Sequence, residues 1–155
     1  MENEQQWIAE QSLLLEQKAQ NLTAVQRTLL GVDYINGALK LMPEKIQNTA
    51  DWEEFKFETA KLISEFPADD EDKRSPAKKA YQMNLSLYKN YLMKKYNIVT
   101  SGHYIGIWLP LGISIGLPFG LIFKNIALGI PIGLAIGTAI GSYLNAQAKK
   151  ENRVI

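Results

Sequence analysis

Side chains that commonly carry out catalysis or bind metal ions are few in this chain. Its one histidine, His103, borders an apolar run with no acidic residue near it, so it lacks the partner that acid–base or nucleophilic catalysis needs. The chain has no cysteine, which excludes disulfides, thiolate nucleophiles and cysteine zinc sites. We therefore predict no catalytic residue, no metal site and no cofactor, and we expect that the protein is not an enzyme.

Two charged clusters have the composition of binding sites, but each has a simpler interpretation. Asp69, Asp70, Glu71 and Asp72 lack the alternating spacing and the glycine of a calcium loop, so we interpret them as a solvated linker. Residues 73–95 hold seven Lys or Arg and no acid, which fits contact with anionic lipid or with an acidic protein surface. Nothing around these basic residues specifies nucleic acid, and we predict no nucleic-acid partner.

Most of the glycines belong to two uncharged apolar runs, residues 103–123 and 126–144, which Lys124 and Asn125 separate. As a helix, each run reaches roughly 30 Å, the thickness of the hydrocarbon core of a bilayer. Within the runs glycine recurs at every fourth position, so that one smooth face forms along each helix. These glycines are Gly112, Gly116 and Gly120 in the first run and Gly129, Gly133, Gly137 and Gly141 in the second.

This spacing predicts a transmembrane helical hairpin with its turn at Lys124-Asn125. Folding the chain there sets Gly116 level with Gly133 and Trp108 level with Gly141, so we predict that Trp108 and the seven glycines pack between the helices. A glycine inside a helix costs roughly 0.5–1 kcal/mol relative to alanine, and the series is stabilising only where another helix packs on it. The mirror register favours closure within one chain, and a homo-oligomer that packs through these glycines is the alternative.

Basic residues at the outer ends of the runs predict the orientation in a membrane. Lys94 and Lys95 precede the first run, and Lys149 and Lys150 follow the second. By the positive-inside rule, both termini lie in the cytoplasm and the turn lies outside. We therefore predict a protein integral to the cytoplasmic (inner) membrane and in contact with the lipid bilayer. Its predicted interface residues are Lys94, Lys95, Tyr104, Lys124, Tyr143, Lys149 and Lys150.

The N-terminal half is polar and acidic. Residues 1–72 carry 15 acidic and 6 basic residues, a net charge of −9, whereas residues 73–155 carry 11 basic residues and one acid, a net charge of +10. Apolar periodicity predicts helices over 3–30, 32–42 and 51–66, and Ser75-Pro76 predicts the start of another. We predict an all-α fold, an N-terminal helical bundle plus a C-terminal two-helix transmembrane hairpin. The predicted segments are an acidic cytoplasmic domain (1–72), a basic amphipathic juxtamembrane helix (73–101), the hairpin (102–145) and a basic cytoplasmic tail (146–155).

Two of these helices leave alternatives open. In residues 3–30 apolar side chains recur every seven positions, which fits a helix of a globular bundle or a coiled-coil dimer. In residues 73–95 the basic helix carries a tyrosine-rich apolar stripe. We expect this stripe to complete the bundle, while Lys89, Lys94 and Lys95 face the membrane.

The sequence of residues 125–153, NIALGIPIGLAIGTAIGSYL followed by NAQAKKENR, resembles the glycine-zipper membrane hairpins of many small bacterial proteins. The resemblance covers about residues 102–153. It implies a bacterial protein in which a short glycine-repeat hairpin is joined to a lysine-rich cytoplasmic tail. Most proteins with this architecture have no assigned activity. Pro110, Pro118 and Pro131 depart from the plainest form of the repeat and predict bent helices.

Two functions agree with these patterns. The first is a non-enzymatic, membrane-anchored interaction or scaffold protein, whose acidic N-terminal domain binds a protein partner. The second is a membrane-inserting effector or pore subunit that oligomerises through its glycine-zipper hairpin. Leakage of dye from liposomes distinguishes the two, because only the effector permeabilises the bilayer.

Overall fold

The computed structural model describes residues 2–67 and 75–155, and the backbone alone at Glu2. The acidic run 69–72, Lys73 and Arg74 lie outside the described residues. Within these, seven helices and no strand occur, which confirms the all-α prediction. The chain divides into two compact units, Met1–Asn97 and Ile98–Ile155.

The described residues of the first unit contain five helices. They are α1 (Glu2–Lys18), α2 (Ala24–Leu29), α3 (Val32–Lys45), α4 (Thr49–Ser64) and α5 (Pro76–Tyr96). Polar side chains begin α4 and α5, where Asn48 accepts a hydrogen bond from the Asp51 N–H and Ser75 accepts one from the Lys78 N–H. Such caps satisfy amide groups that have no partner within the first helical turn.

The predicted helix over residues 3–30 is in fact two helices, and the reason is a cap at Thr23. The Thr23 hydroxyl accepts from the Gln26 N–H, while the Gln26 side-chain oxygen accepts from the Thr23 N–H at 2.8 Å. This reciprocal capping box starts a new helix inside the apolar repeat. The repeat therefore does not keep one face, since Leu15 is fully buried and Leu29 is 59% exposed.

Aromatic and aliphatic faces of α3, α4 and α5 form the core of the first unit. The tyrosine-rich stripe of α5 is buried, as predicted, and its members are Tyr81, Leu85, Tyr88 and Leu92. Three hydroxyl groups in this core have partners. The Tyr81 hydroxyl donates to the Leu30 carbonyl at 2.9 Å, and the hydroxyls of Thr59 and Tyr88 share a hydrogen bond of 2.9 Å.

The second unit is a hairpin of α6 (His103–Ile122) and α7 (Ile126–Lys150). Its turn is tight, and Lys124 takes the left-handed conformation there with φ 54°. Pro110, Pro118 and Pro131 lie inside the helices without ending them. Beyond α7 the chain returns, and Val154 forms a parallel β-bridge with Val99.

Candidate membrane-spanning hairpin

The two helices of the hairpin bury glycine and expose large apolar side chains. All seven glycines that recur at every fourth position are buried between α6 and α7. Large side chains point outward on both helices, among them Leu111 at 44%, Leu121 at 64% and Leu128 at 52% exposure. A water-soluble protein rarely exposes an apolar surface of this extent, whereas the hydrocarbon of a bilayer solvates it.

Glycine is required at these positions because the two backbones touch. A Cβ atom on Gly112 would lie 2.7 Å from the Gly137 Cα, and one on Gly116 would lie 2.7 Å from the Gly133 Cα. Near the turn the fit is slightly wider, with 3.2 Å between a Cβ on Gly120 and the Gly129 Cα. The three pairs are those that the mirror register predicts.

The register differs from the prediction at the open end of the hairpin, away from the turn. Trp108 does not lie level with Gly141. Its carbonyl oxygen contacts the Gly137 position, about one turn away. Gly141 instead faces Ile105, whose Cα would lie 2.8 Å from a Cβ on that glycine. The physical reason is that the glycine repeat of α6 ends at Gly112, so beyond it the glycines of α7 meet the main chain of residues that carry side chains.

The length and polarity of α6 and α7 suit a bilayer. Apolar stretches of 18 residues in the two helices have mean hydropathies of 1.9 and 1.6. Only 17% and 22% of these stretches is buried, whereas the apolar core helix of a soluble protein is mostly buried. Their outer surface therefore lacks the protein covering that an aqueous environment requires.

Residues 100–147 match the family model of glycine zipper membrane proteins. This confirms the resemblance inferred from the glycine repeat. With the two apolar helices, it supports a membrane location and contact with the lipid bilayer. No curated protein and no solved structure matches the chain.

The predicted interface residues of the glycine-zipper hairpin lie at its two ends. Lys124 is in the turn, and at the opposite end Lys149 and Lys150 form the exposed last turn of α7. The Tyr143 side chain is 70% exposed, and the Tyr104 hydroxyl accepts a hydrogen bond from Arg153. Their positions relative to a lipid headgroup layer stay a prediction.

Two further predicted interface residues, Lys94 and Lys95, belong to the first unit. Lys94 is exposed, whereas the Lys95 ammonium forms ion pairs with Asp51 at 2.6 Å and Glu54 at 2.5 Å. The hydrogen bonds that the Lys95 ammonium donates to Asp51 and Glu54 raise the pKa of Lys95 above its ordinary value. The charge of Lys95 is thus already balanced by α4, and contact of these lysines with lipid stays a prediction.

Lys89, also expected to face the membrane, lies against an aromatic ring of the same unit. Its ammonium nitrogen is 5.0 Å from the centre of the Tyr34 ring, a cation–π distance. Burial lowers the pKa of Lys89. This lysine is half-buried in the bundle surface and is thus partly withdrawn from solvent.

Side chains that could take part in catalysis or bind a metal ion are dispersed in the part of the chain that the structure describes. His103 contacts the Tyr104 ring edge-on, with 5.3 Å between ring centres. Among the described residues no three His, Asp or Glu side chains are grouped closely enough to hold a metal ion.

Sequence reasoning missed the residues that join the ends of the hairpin. Asn145 is 9% exposed, and its side-chain oxygen accepts a hydrogen bond from the Gly102 N–H at 3.2 Å. Residues 153–155, predicted as part of a basic tail, pair with residues 99–101. The available signal was β-branched sequence on both flanks of the hairpin, Ile98-Val99-Thr100 before it and Val154-Ile155 after it.

Proposed function

We propose that the chain is a non-enzymatic, membrane-anchored interaction or scaffold protein. The hairpin α6–α7 anchors it, and the first unit binds a protein partner. The observation that carries this proposal is the use of all seven repeat glycines within one chain. A hairpin that satisfies its own close-packing surface is a complete anchor and needs no second copy to stabilise it.

The polar groups of the hairpin support an anchor rather than a pore. Apart from His103 at the edge of the first run, the two apolar runs hold only Ser114, Thr138 and Ser142 as clearly polar side chains, and none of these three is ionisable. The Ser114 hydroxyl donates to the Pro110 carbonyl of its own helix at 3.0 Å. A water-filled path through a bilayer is typically lined by ionisable or hydrogen-bonding side chains that face it.

The orientation in this proposal follows the lysines at the open end of the hairpin. Lys149 and Lys150 remain on the cytoplasmic side of the inner membrane of a bacterium, and Lys124 alone is moved to the outside. Both termini are then cytoplasmic. The first unit accordingly meets its partner in the cytoplasm.

The surface of the first unit supports a protein partner. Large apolar side chains are exposed on several of its helices, including Val25 at 69%, Phe57 at 66% and Met83 at 63%. The described residues 2–67 carry 11 acidic and 6 basic residues, a net charge of −5, and α5 contributes five lysines in return. Because these charges balance over the described residues of the unit, we expect a partner that binds the acidic domain mainly through apolar contact.

Membrane fractionation tests the anchor. After extraction with alkaline carbonate, the full chain should remain in the membrane pellet, and a variant that ends at Thr100 should be in the supernatant. Full-length chain in the supernatant would contradict the proposal. If both variants sediment with the membrane before carbonate and both are released by it, the first unit, and not the hairpin, made the attachment.

The alternative, a pore-forming effector, has one observation in its favour. Gly106, Pro110, Ser114 and Pro118 form an exposed line of short side chains on α6, and a Cβ on Gly106 would meet nothing within 4 Å. Such a line permits close approach of another helix. Release of an encapsulated dye from liposomes on addition of the protein would favour this alternative over the anchor.

A further inference from the structure

Backbone hydrogen bonds join the two ends of the hairpin unit. The Val99 N–H donates to the Arg153 carbonyl at 2.9 Å, and the Val99 carbonyl accepts from the Ile155 N–H at 3.0 Å. The Ser101 N–H donates to the Ile155 carbonyl at 2.8 Å. We call this pairing of residues 99–101 with 153–155 the clasp.

Side chains support the clasp from both sides. Ile98 and Ala148 are fully buried, and Val99 is 4% exposed, so the apolar side chains beside the clasp are withdrawn from solvent. The Arg153 N–H donates to the Ala148 carbonyl at 2.9 Å, which turns the chain back after α7. The Arg153 guanidinium also bonds to the carboxylate of Glu151.

The clasp lies where the glycine packing is least regular. Near the turn, glycine meets glycine across the hairpin, and the connection through Phe123–Asn125 holds the helices together covalently. At the open end Gly137 meets the main chain of Leu109 as well as Gly112, and Gly141 meets the main chain of Ile105 and no glycine. In lipid the helices have no hydrophobic driving force to associate, so packing contacts and hydrogen bonds must hold this end.

We propose that the clasp is a latch that keeps the glycine faces packed within one chain, and that opening it turns those faces toward a second copy. The argument for this partner is self-complementarity. The two glycine faces already fit one another within the chain, so the same faces on two opened chains also fit. This inference rests on the proposed membrane anchor, which it extends with a means of control over self-association.

The strength of the clasp suits a latch. It consists of three backbone hydrogen bonds around one bridge and does not extend into a longer sheet among the described residues. Loss of one such bond should shift the ratio of closed to open hairpin roughly fivefold to tenfold. The closed hairpin of the structure is therefore within reach of a modest perturbation.

Proline substitutions at neighbouring positions distinguish the loss of a clasp hydrogen bond from the general effects of proline. Ser101→Pro removes an N–H that the clasp uses, whereas Thr100→Pro removes one that points away from it in a parallel pairing. Ile155→Pro and Val154→Pro form a second pair on the other segment. Ile155→Pro removes the N–H that donates to the Val99 carbonyl, and Val154→Pro is its control. If Ser101→Pro disturbs the start of α6, the second pair still tests the clasp.

The measurement is energy transfer between donor-labelled and acceptor-labelled copies of the full chain in liposomes, each labelled through Asn125→Cys. Because the natural sequence has no cysteine, each copy carries one label. Ser101→Pro and Ile155→Pro should raise the associated fraction roughly fivefold to tenfold at low protein-to-lipid ratio. Thr100→Pro and Val154→Pro should resemble the parent.

Equal association in all four variants and the parent would overturn the proposal, and so would an equal increase in all four. Flotation of the liposomes after a carbonate wash separates these results from failure of the anchor, since an unanchored chain is lost from the vesicles in every variant.

Discussion

Gly116 lies so close to Gly133 that a methyl group on the former would be 2.7 Å from the Cα atom of the latter. The same methyl group would also meet the carbonyl oxygen of Gly129. Each of these neighbours is main chain, which cannot rotate aside as a side chain does. The centre of the hairpin therefore tolerates no Cβ atom without movement of a whole helix.

We expect Gly116→Ala and Gly133→Ala each to destabilise the hairpin by about 1–3 kcal/mol, the usual range for an overpacked contact. The helices must separate and lose the van der Waals contacts that hold them in lipid. Their combination should cost less than the sum, because one substitution already opens the shared contact. The measurement is the free energy of unfolding of the purified protein in detergent.

Gly106→Ala is the matched control for these variants. Gly106 is in the same helix and has the same chemistry, but a Cβ there meets nothing within 4 Å. Alanine should thus leave the hairpin unchanged or stabilise it by roughly 0.5–1 kcal/mol through its higher helix propensity. Equal losses at positions 106 and 116 would show that the close glycine contact does not hold the hairpin together.

The turn of the hairpin contains a strained residue. Lys124 has φ 54°, a conformation that costs a residue with a side chain about 1 kcal/mol and costs glycine much less. Lys124→Gly should therefore stabilise the closed hairpin by a few tenths to about 1 kcal/mol. Asn125→Gly is the control, since Asn125 has φ −145° and gains nothing from glycine.

Chemical or thermal unfolding in detergent checks this prediction for both turn variants. A lower stability for Lys124→Gly than for the parent would show that the lysine side chain makes a contact that outweighs its backbone strain. Lys124→Gly also removes a positive charge at the turn. Lys124→Asn, which removes the charge and tolerates the same φ, should fall between the parent and the glycine variant.

The hairpin was predictable from sequence because a short period encodes it. Glycine at every fourth residue in two runs fixes both the contact face and the pairs near the turn, Gly116 with Gly133 among them. The open end was not predictable in the same way. There α6 has Trp108 in place of a repeat glycine, and Gly141 meets the main chain of Ile105, a contact between unlike residues that carries no periodic signal.

In the first unit and in the clasp, the sequence pattern alone did not predict the observed structure. Residues 3–30 have apolar periodicity for one helix, but the side chains of Thr23 and Gln26 cap a new helix inside it. In the clasp, Val99 and Val154 are separated by 55 positions, and three residues on each side are too few for a strand pattern to emerge. Such pairing depends on tertiary contact, which local propensity does not contain.

Cysteine labelling tests the orientation of the hairpin, and the structure determines which positions report it. Ala148 is fully buried and would not react with a maleimide, whereas its neighbour Gln147 is exposed. We expect Ser75→Cys and Gln147→Cys to react with an impermeant maleimide only after the cells are opened. Asn125→Cys should react in intact cells once the outer barrier is permeabilised, and labelling of position 147 from outside would refute the cytoplasmic location of the C-terminal end.

The last prediction concerns a polar network that joins α1, α2 and α3. The Arg27 guanidinium lies 2.8 and 2.9 Å from the two carboxylate oxygens of Glu16, and the Asn36 side chain donates to the same carboxylate at 2.7 Å. The hydrogen bond from Arg27 is the main cause that lowers the pKa of Glu16, while burial opposes it. Glu16 is 43% exposed, so solvent weakens the interaction.

A lowered pKa gives the sign of the pH dependence. The unfolded chain takes up a proton on Glu16 near the ordinary pKa of 4.5, before the folded chain does. The stabilisation by Glu16 is thus complete above that pH and is lost as the pH falls through the pKa of the folded state. We expect the midpoint temperature of the first unit to fall on acidification, and to fall less steeply below about pH 4.5 in Glu16→Gln.

Glu10→Gln is the control, because Glu10 is exposed on the same helix and a glutamine there still accepts the hydrogen bond from Gln6. Its midpoint temperature should follow that of the parent over the whole pH range. Tryptophan fluorescence can follow the first unit selectively in a Trp108→Phe background, where Trp7 and Trp52 are the remaining indoles. If Glu16→Gln and Glu10→Gln respond identically between pH 7 and pH 3, the contact of Glu16 with Arg27 contributes nothing to the acid sensitivity of the unit.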